Sequence, residues 1–217
     1  MNRTEHFVQF YESDEFIVNS VAEYVTHGLR TGETCIIIAT NEHLDAIERK
    51  VESFGLDLID AREREAYITF DAAGTLAKFM AGDHPDPKLF SKVIGGLIRK
   101  ITKRAPVRAF GEMVALLVKD GNPTAAVELE KLWNGLRQKH PFSLFCAYPM
   151  EAFANGEAAK FMGHVCNGHS RVIPDETYTA LSSADERLRQ VAFLQQRGRQ
   201  LEAELAELEH RIAARAK

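Results

Sequence analysis

The segment Thr34-Cys-Ile-Ile-Ile-Ala-Thr40 is an almost purely apolar run. Such a run is typical of a central parallel strand that is buried on both faces of its sheet. Short β-rich runs alternate with longer segments of helical periodicity on either side of it. Phe7–Tyr11 and residues 66–71 are predicted strands, and a helix is predicted from Asp14 to a stop at Gly28.

The alternation continues along the next hundred or so residues. Helices are predicted over residues 73–81, 89–103, 122–139 and 154–169, and Asn41 is expected to cap a further helix. Residues 107–110, 115–118 and 142–148 are predicted strands, and residues 83–87 are a predicted loop. Repeated strand-then-helix units predict an α/β fold with a mostly parallel central sheet flanked by helices.

Composition limits the classes of protein to consider. Of the 217 residues, 45% are hydrophobic and 27% charged, which predicts a globular domain with an appendage and not a disordered chain. The net charge of −4 argues against direct nucleic-acid binding, which uses an excess of Lys and Arg. No apolar run approaches the ~20 residues of a membrane span. Because the N-terminus lacks a secretory pattern and the three cysteines form no CxxC pair, we expect a cytoplasmic location.

The composition changes near the C-terminus, so residues 1–178 are predicted to form the α/β domain and residues 179–217 a C-terminal amphipathic helix. A heptad pattern begins at residue 191, and we predict a homodimeric coiled coil through residues 191–215. Its two seams are Val191, Gly198, Leu205, Ile212 and Leu194, Leu201, Leu208, Arg215. A single amphipathic helix packed on its own domain is the alternative. The charges do not decide whether the two helices are parallel or antiparallel. A parallel dimer would place Arg197 opposite Glu202, which attract, but also Glu204 opposite Glu209, which repel.

A search for catalytic motifs finds little. The first predicted strand–helix turn, Tyr11-Glu-Ser-Asp-Glu15, has no glycine, no lysine and three carboxylates, which would repel a triphosphate. The chain contains no GxxxxGK[ST], GxGxxG or GxSxG motif. Glu112 could act as a base, although an ion pair or a cap is the more ordinary role for it. We therefore expect a protein that is not an enzyme, with no catalytic residues.

Metal binding has weak support in the sequence. Cys166 and His169 lie three residues apart, on the same face of a predicted helix end. A zinc site would need further ligands, for which folding could bring His6 or Cys146 close. Ordinary structural roles for these side chains are favoured, so no metal is predicted, and the sequence names no cofactor.

Six segments share their order and spacing with a sensory family. They are His6-Phe-Val-Gln-Phe-Tyr11, Gly32–Thr40, Phe110–Leu117, Leu129–Trp133, Leu144–Pro149 and His169–Pro174. Together they resemble the MEDS family, named from methanogens, methylotrophs and the dichloromethane-responsive repressor DcmR, over roughly residues 4–178. The resemblance implies sensing of a small ligand, proposed to be a hydrocarbon derivative, in proteins that also carry DNA-binding, kinase or other signalling outputs.

The same resemblance implies distant kinship with ATPases of the RecA and KaiC type. By that alignment Tyr11–Glu15 takes the position of the phosphate loop and departs from the ATPase pattern there. Glu112 would lie near a strand end in the region of the second nucleotide motif. The fold implied is therefore RecA-like with a degenerate phosphate loop.

Ligands of open α/β sheets bind outside the carboxyl ends of the strands. The candidate ligand-binding residues at that rim are Phe10, Tyr11, Thr40, Asp71, Glu112 and Tyr148, whereas His6 begins its strand and is expected at the other end. The leading hypothesis is a non-enzymatic sensor that binds a small, apolar or hydrocarbon-derived ligand and signals through the tail to a partner protein. The alternatives are a ligand-free scaffold and an enzyme, either a divergent ATPase or a metal hydrolase.

Overall fold

The computed structural model describes residues 4–154 and 156–215. The chain divides into two compact units between Asp175 and Glu176. The domain boundary between residues 178 and 179 stays a prediction. No helix among the described residues is long and apolar enough to cross a membrane.

The first unit is an α/β domain built on one large sheet. Its strands are β1 (His6–Tyr11), β2 (Thr34–Ala39), β3 (Tyr67–Asp71), β4 (Met80–Ala81), β5 (His84–Pro85), β6 (Val107–Gly111), β7 (Ser143–Pro149) and β8 (Arg171–Ile173). Six of them form a wholly parallel sheet in the order β3-β2-β6-β7-β1-β8, while β4 and β5 pair as a small antiparallel hairpin. The prediction of an α/β fold with a parallel sheet flanked by helices is confirmed.

Helices follow the strands in nearly every connection. They are α1 (Asp14–Arg30), α2 (Asn41–Ser53), α3 (Leu58–Glu63), α4 (Ala72–Ala77), α5 (Pro87–Phe90), α6 (Gly96–Ile101), α7 (Met113–Lys119), α8 (Pro123–Lys139) and α9 (Gly156–Gly168) in the first unit, and α10 (Glu176–Thr179) and α11 (Ala184–Arg215) in the second. A π-helical turn, Ser91–Gly95, joins α5 to α6, and a 3-10 helix, Met150–Phe153, follows β7.

The sheet is covered by apolar side chains on both faces, which explains the continuous apolar run in β2. Ile36 and Ile38 pack into the core that includes Phe79 and Trp133. Cys35, Ile37 and Ala39 alternate with them and pack into the opposite core with residues of α1 and α2. Because side chains of a strand alternate between faces, a strand with two covered faces has no polar positions.

Residues 115–118 are not a strand, and that prediction was wrong. They lie in α7, where Met113, Val114, Leu117 and Val118 are all buried. A short apolar run has the same appearance in a buried strand and in a helix that is buried on most sides, so periodicity cannot separate the two.

Three predicted boundaries also differ from the structure. Residues 73–81 contain the shorter α4 followed by β4, and the loop predicted over residues 83–87 contains β5. Gly28 lies inside α1 and does not end it. A Cβ atom there would meet Cys35 Sγ at 2.7 Å, so a glycine is needed where α1 closely approaches β2.

Candidate functional site

The carboxyl ends of the parallel strands open into a cavity of about 590 Å³. Its lining comes from the ends of β1, β6 and β7, from the turn into α1, from the first turn of α2, from α7 and from the 3-10 helix after β7. The lining residues are Tyr11, Glu12, Asp14, Thr40, Glu42, His43, Glu112, Ala115, Leu116, Lys119, Pro149, Met150 and Glu151. This is the edge of the sheet at which a ligand is expected in an open α/β fold.

Glu112 is the central buried group of this cavity, with a side chain that is only 4% exposed. It follows β6, and its backbone N–H donates to the carbonyl of Ile38 in β2 (2.9 Å). Its Oε2 accepts a hydrogen bond from the backbone N–H of Thr40 (2.8 Å), and its Oε1 contacts Nδ1 of His43. The carboxylate is therefore held on two sides by a backbone donor and an imidazole.

Thr40 places His43 against this carboxylate. Thr40, and not the predicted Asn41, is the N-cap of α2, because its hydroxyl accepts from the backbone N–H of His43 (3.3 Å). The cap fixes the first helical turn and so the direction of the His43 side chain. Nε2 of His43 lies 3.3 Å from Oδ1 of Asp14 at the start of α1.

Electrostatics at the cavity favour the charged imidazolium. The hydrogen bond with Glu112 raises the pKa of His43, and the charges of Glu112 and Asp14 add to this, while burial opposes it. Burial, followed by the charge of Glu112, raises the pKa of Tyr11, so that its hydroxyl stays protonated at all physiological pH values. The site thus has one protonated phenol and one imidazole whose pKa is raised by its carboxylate partners.

The cavity is acidic as a whole. Five carboxylates line it, from Glu12, Asp14, Glu42, Glu112 and Glu151, against one lysine, Lys119, and the imidazole of His43. Clefts that carry charges of one sign concentrate ligands of the other sign. A cationic group would be attracted to this cavity, and a phosphate group would be repelled.

The six predicted ligand-binding residues divide into two groups. Tyr11, Thr40 and Glu112 line the cavity together. Phe10 and Tyr148 are 3% and 0% exposed and lie in the core on one face of the sheet. Side chains alternate between the two faces along β1 and β7, and this alternation directs both residues into that core and not into the cavity. The carboxylate of Asp71 accepts from the N–H of Gly74 and caps α4. Whether any of the six binds a ligand stays a prediction.

His43 was absent from the predicted site, and so were Asp14 and Glu151. The usable signal for His43 was its place three residues after the strand-end Thr40, which brings it onto the same rim. No sequence spacing could have linked it to Glu112, which lies 69 residues further along the chain.

We expect the contact between His43 and Glu112 to make stability depend on pH. Since the folded pKa of His43 is raised above the ordinary value of 6.5, its stabilisation is fully present below that pH and is lost as pH rises through the folded pKa. The unfolding free energy of wild type should exceed that of His43→Gln by about 1.5–3 kcal/mol at pH ~6, with a smaller difference at pH ~9. Urea unfolding of both proteins at the two pH values measures this difference in unfolding free energy. A difference that is independent of pH would contradict the ion pair.

A second cluster of ionisable side chains lies inside the domain, apart from the cavity. His6, Glu130, Cys146 and His169 are all buried and place one potential ligand atom each within 4.8 Å of the others. His6 and Cys146, named as conditional zinc ligands, do come close to His169. The other weak metal candidate, Cys166, is not part of the cluster, and Glu130 was not foreseen.

Comparison with known proteins places these features in a family. A family model described as MEDS, the methanogen/methylotroph, DcmR sensory domain, matches residues 5–164. No curated protein matches the chain significantly. Among solved structures, the uncharacterized protein PH0321 from Pyrococcus horikoshii, in complex with an unknown peptide, is similar, with a TM-score of 0.60 and 12% identity. The match covers 80% of this chain and 78% of that one and shows a shared fold.

Proposed function

This chain belongs to the MEDS family of sensory domains, and from that premise we propose that it is a sensory, regulatory protein that binds a small molecule in the strand-end cavity. The observation that carries the proposal is the position of Glu112. A carboxylate that is buried, fixed by Thr40 and His43, and next to a cavity of about 590 Å³ is a preorganised polar group. Ligand pockets use a few such groups to orient what they bind.

The chemistry of the cavity indicates the class of ligand. Its apolar wall comes from Ala115, Leu116, Pro149 and Met150, and its acidic rim comes from the five carboxylates. A small molecule with a hydrocarbon body and one cationic group, such as an alkylamine, satisfies both parts of the lining. The proposed ligand is thus a hydrocarbon derivative, as expected from the family, that also carries a positive charge.

We propose that the domain is not an enzyme and that its fold is a RecA-like one that has lost its phosphate site. The support is the turn between β1 and α1, where Glu12, Asp14 and Glu15 stand in place of the glycines and lysine that a phosphate loop requires. In the proposed evolutionary change, a cavity that once received an anionic nucleotide now receives a cation.

The proposed output is helix α11, which passes the signal to a partner protein. Large apolar side chains are exposed along it, among them Val191, Leu194, Leu201, Leu205, Leu208 and Ile212. Their heptad spacing supports a coiled coil with a second copy of this chain. The side chain of Arg215, the last seam position, lies outside the described residues. A transcriptional regulator or a kinase, without direct nucleic-acid binding by this chain, is the proposed kind of partner.

We expect Leu201→Asp to dissociate the dimer. It removes one seam leucine from each of two helices, and each buried leucine contributes about 1.5–3 kcal/mol, so the dissociation constant should rise at least about 100-fold. Analytical ultracentrifugation measures the change. Ala203→Asp, two residues away and off the seam, is the matched control and should leave the dimer intact. A wild-type monomer, or equal effects of both substitutions, would contradict the coiled coil.

Mass spectrometry of the freshly purified protein tests ligand binding. The native spectrum should show a small excess mass per chain that disappears on denaturation and that is absent from Glu112→Gln. An excess mass that Glu112→Gln retains would place the ligand elsewhere. Bare chains in every preparation would favour the alternative of a ligand-free interaction module, for which the exposed apolar row of α11 is the supporting observation.

A further inference from the structure

We propose that His6, Glu130, Cys146 and His169 form a buried binding site for a divalent transition metal of the zinc class. The four residues come from separate parts of the α/β domain. His6 begins β1, Cys146 lies in the middle of β7, Glu130 lies on α8, and His169 follows α9. The site shares no residue with the acidic cavity and stands independently of the proposed ligand.

The distances between the potential ligand atoms fit a tetrahedral site. Zinc bonds of about 2.0–2.3 Å place neighbouring ligand atoms roughly 3.3–3.7 Å apart in a tetrahedron. Nε2 of His6 lies 3.4 Å from Sγ of Cys146 and 3.4 Å from Oε2 of Glu130. Nε2 of His169 lies 3.5 Å from Oε1 of Glu130, and Sγ of Cys146 lies 3.9 Å from Oε2 of Glu130. Small shifts of the side chains would complete the coordination.

Outer hydrogen bonds fix both imidazoles in the form that binds a metal. Nδ1 of His6 lies 2.9 Å from Oδ1 of Asn134, whose amide nitrogen donates to the carbonyl of Gly168, so an oxygen faces the ring. Nδ1 of His169 lies 2.6 Å from the carbonyl oxygen of Val165. An acceptor at each Nδ1 requires the proton there and leaves the Nε2 lone pair directed at the cluster.

Few hydrogen-bond donors among the described residues face the cluster, although the charge of Arg137 reaches His6 and Cys146. When Glu130 is ionised, both of its oxygens and both Nε2 atoms are acceptors. The described donors near them are the thiol of Cys146 and the hydroxyl of Tyr148, which donates to Oε1 of Glu130 (3.0 Å). Nε2 of His169 is buried without a hydrogen bond. A divalent cation would satisfy these lone pairs, and with one carboxylate and one thiolate it would make a neutral centre.

Burial shifts the pKa values of three members of the cluster towards their uncharged forms. Burial, followed by the charge of His169, lowers the pKa of His6 to about 3. Burial raises the pKa of Glu130, and burial together with Glu130 raises that of Cys146. A bound dication reverses both increases, because it stabilises the carboxylate and the thiolate.

The mixed donor set selects the class of metal. Two imidazole nitrogens, one thiolate sulfur and one carboxylate oxygen suit zinc, whereas calcium and magnesium require oxygen ligands. Four protein ligands leave no open position, which is typical of a structural site. Such a metal would join the start of β1 and the segment before β8 to α8 and β7. The neighbouring residue Ser170 already links two of these parts, because its N–H and its hydroxyl both donate to the carbonyl of His6.

Metal analysis and cobalt substitution of the full chain test the site. Wild type prepared with zinc should carry one metal per chain after desalting, and Co²⁺ in the stripped protein should give a thiolate-to-cobalt charge-transfer band and tetrahedral d–d bands. Cys146→Ser should abolish the charge-transfer band and weaken metal binding by more than about 100-fold, since even outer partners of a zinc ligand cost about 10–100-fold.

Cys166→Ser is the matched control and should keep both the metal and the band. Because the cobalt spectrum of wild type needs no variant, a failure of Cys146→Ser to fold leaves the test intact. Wild type that retains no stoichiometric zinc or cobalt, a cobalt spectrum without a thiolate band, or a band that Cys166→Ser abolishes would each overturn the site.

Discussion

Replacing Arg108 by alanine should lower the free energy of unfolding by about 3–5 kcal/mol, because it removes a buried side chain that makes three hydrogen bonds and leaves the partly buried Glu33 without its partner. The side chain of Arg108, on β6, is 4% exposed. Its Nε and Nη2 donate to the two oxygens of Glu33 (3.1 and 2.9 Å), its Nη1 donates to the carbonyl of Tyr24 (3.1 Å), and its guanidinium lies over the Tyr24 ring.

Arg108 therefore ties β6 to α1 and to the start of β2. Burial alone would raise the pKa of Glu33, but the hydrogen bonds from Arg108 lower it below its usual value. Arg104→Ala is the matched control. Arg104 pairs with Glu65, both more than half exposed, and exposed pairs contribute about 0–1 kcal/mol. Urea unfolding compares the two variants, and equal losses would contradict the buried bidentate pair.

Glu112→Gln should weaken binding of a cationic ligand at least tenfold, with little change in the shape of the cavity. Hydrogen bonds to charged groups contribute about 1.5–3 kcal/mol, which corresponds to roughly 10–150-fold in affinity. The amide would keep an acceptor for the N–H of Thr40 but lose the charge that raises the pKa of His43. The same substitution should therefore lower the pKa of His43, which NMR titration of the imidazole measures without any ligand.

Asp14→Asn is the matched control for that titration. Asp14 also approaches His43, but its side chain is 80% exposed, so water screens its charge. We expect a much smaller change in the pKa of His43 than with Glu112→Gln. An equal or larger change would show that the buried carboxylate is not the dominant partner.

The sheet could be predicted from sequence wherever the pattern had one structural meaning. The run over residues 34–40 could only be a strand covered on both faces, and the structure places it as β2 in the interior of the sheet. The equally apolar residues 113–118 are α7, because a short helix within the core buries nearly all its positions. The two runs have similar lengths and no clear periodicity, and the difference in composition, three isoleucines in residues 34–40 against Met, Ala and two Leu in residues 113–118, is the remaining local signal.

The candidate site was predictable to the extent that it depends on topology. The rule that parallel strands end at one rim placed Tyr11, Thr40 and Glu112 together. It could not tell which side chains point across the rim, so Phe10 and Tyr148, which belong to the core, were included. Strand-end residues one position apart point to opposite faces, and a boundary error of one residue exchanges them.

The buried cluster shows the other limit of sequence analysis. Cys166 and His169 drew attention because they are neighbours along the chain, yet the side chains that surround His169 come from His6, Glu130 and Cys146. Glu130, within α8, has the sequence context of a carboxylate on a solvated helix face. Contacts between residues as far apart along the chain as His6 and Cys146, which are 140 positions apart, depend on tertiary packing, and no local pattern encodes them.

The central claim is that the strand-end cavity binds a small amphipathic cation through Glu112, and an NMR titration tests it most directly. Hexylamine and hexyltrimethylammonium, with hexanol and hexanoate as neutral and anionic controls, are titrated into wild type and Glu112→Gln while the His43 imidazole signals are followed. We predict saturable shifts with the cations alone and affinity at least tenfold weaker in Glu112→Gln. Shifts with hexanoate as strong as those with hexylamine, or no saturable shift of His43 with either cation, would contradict the claim.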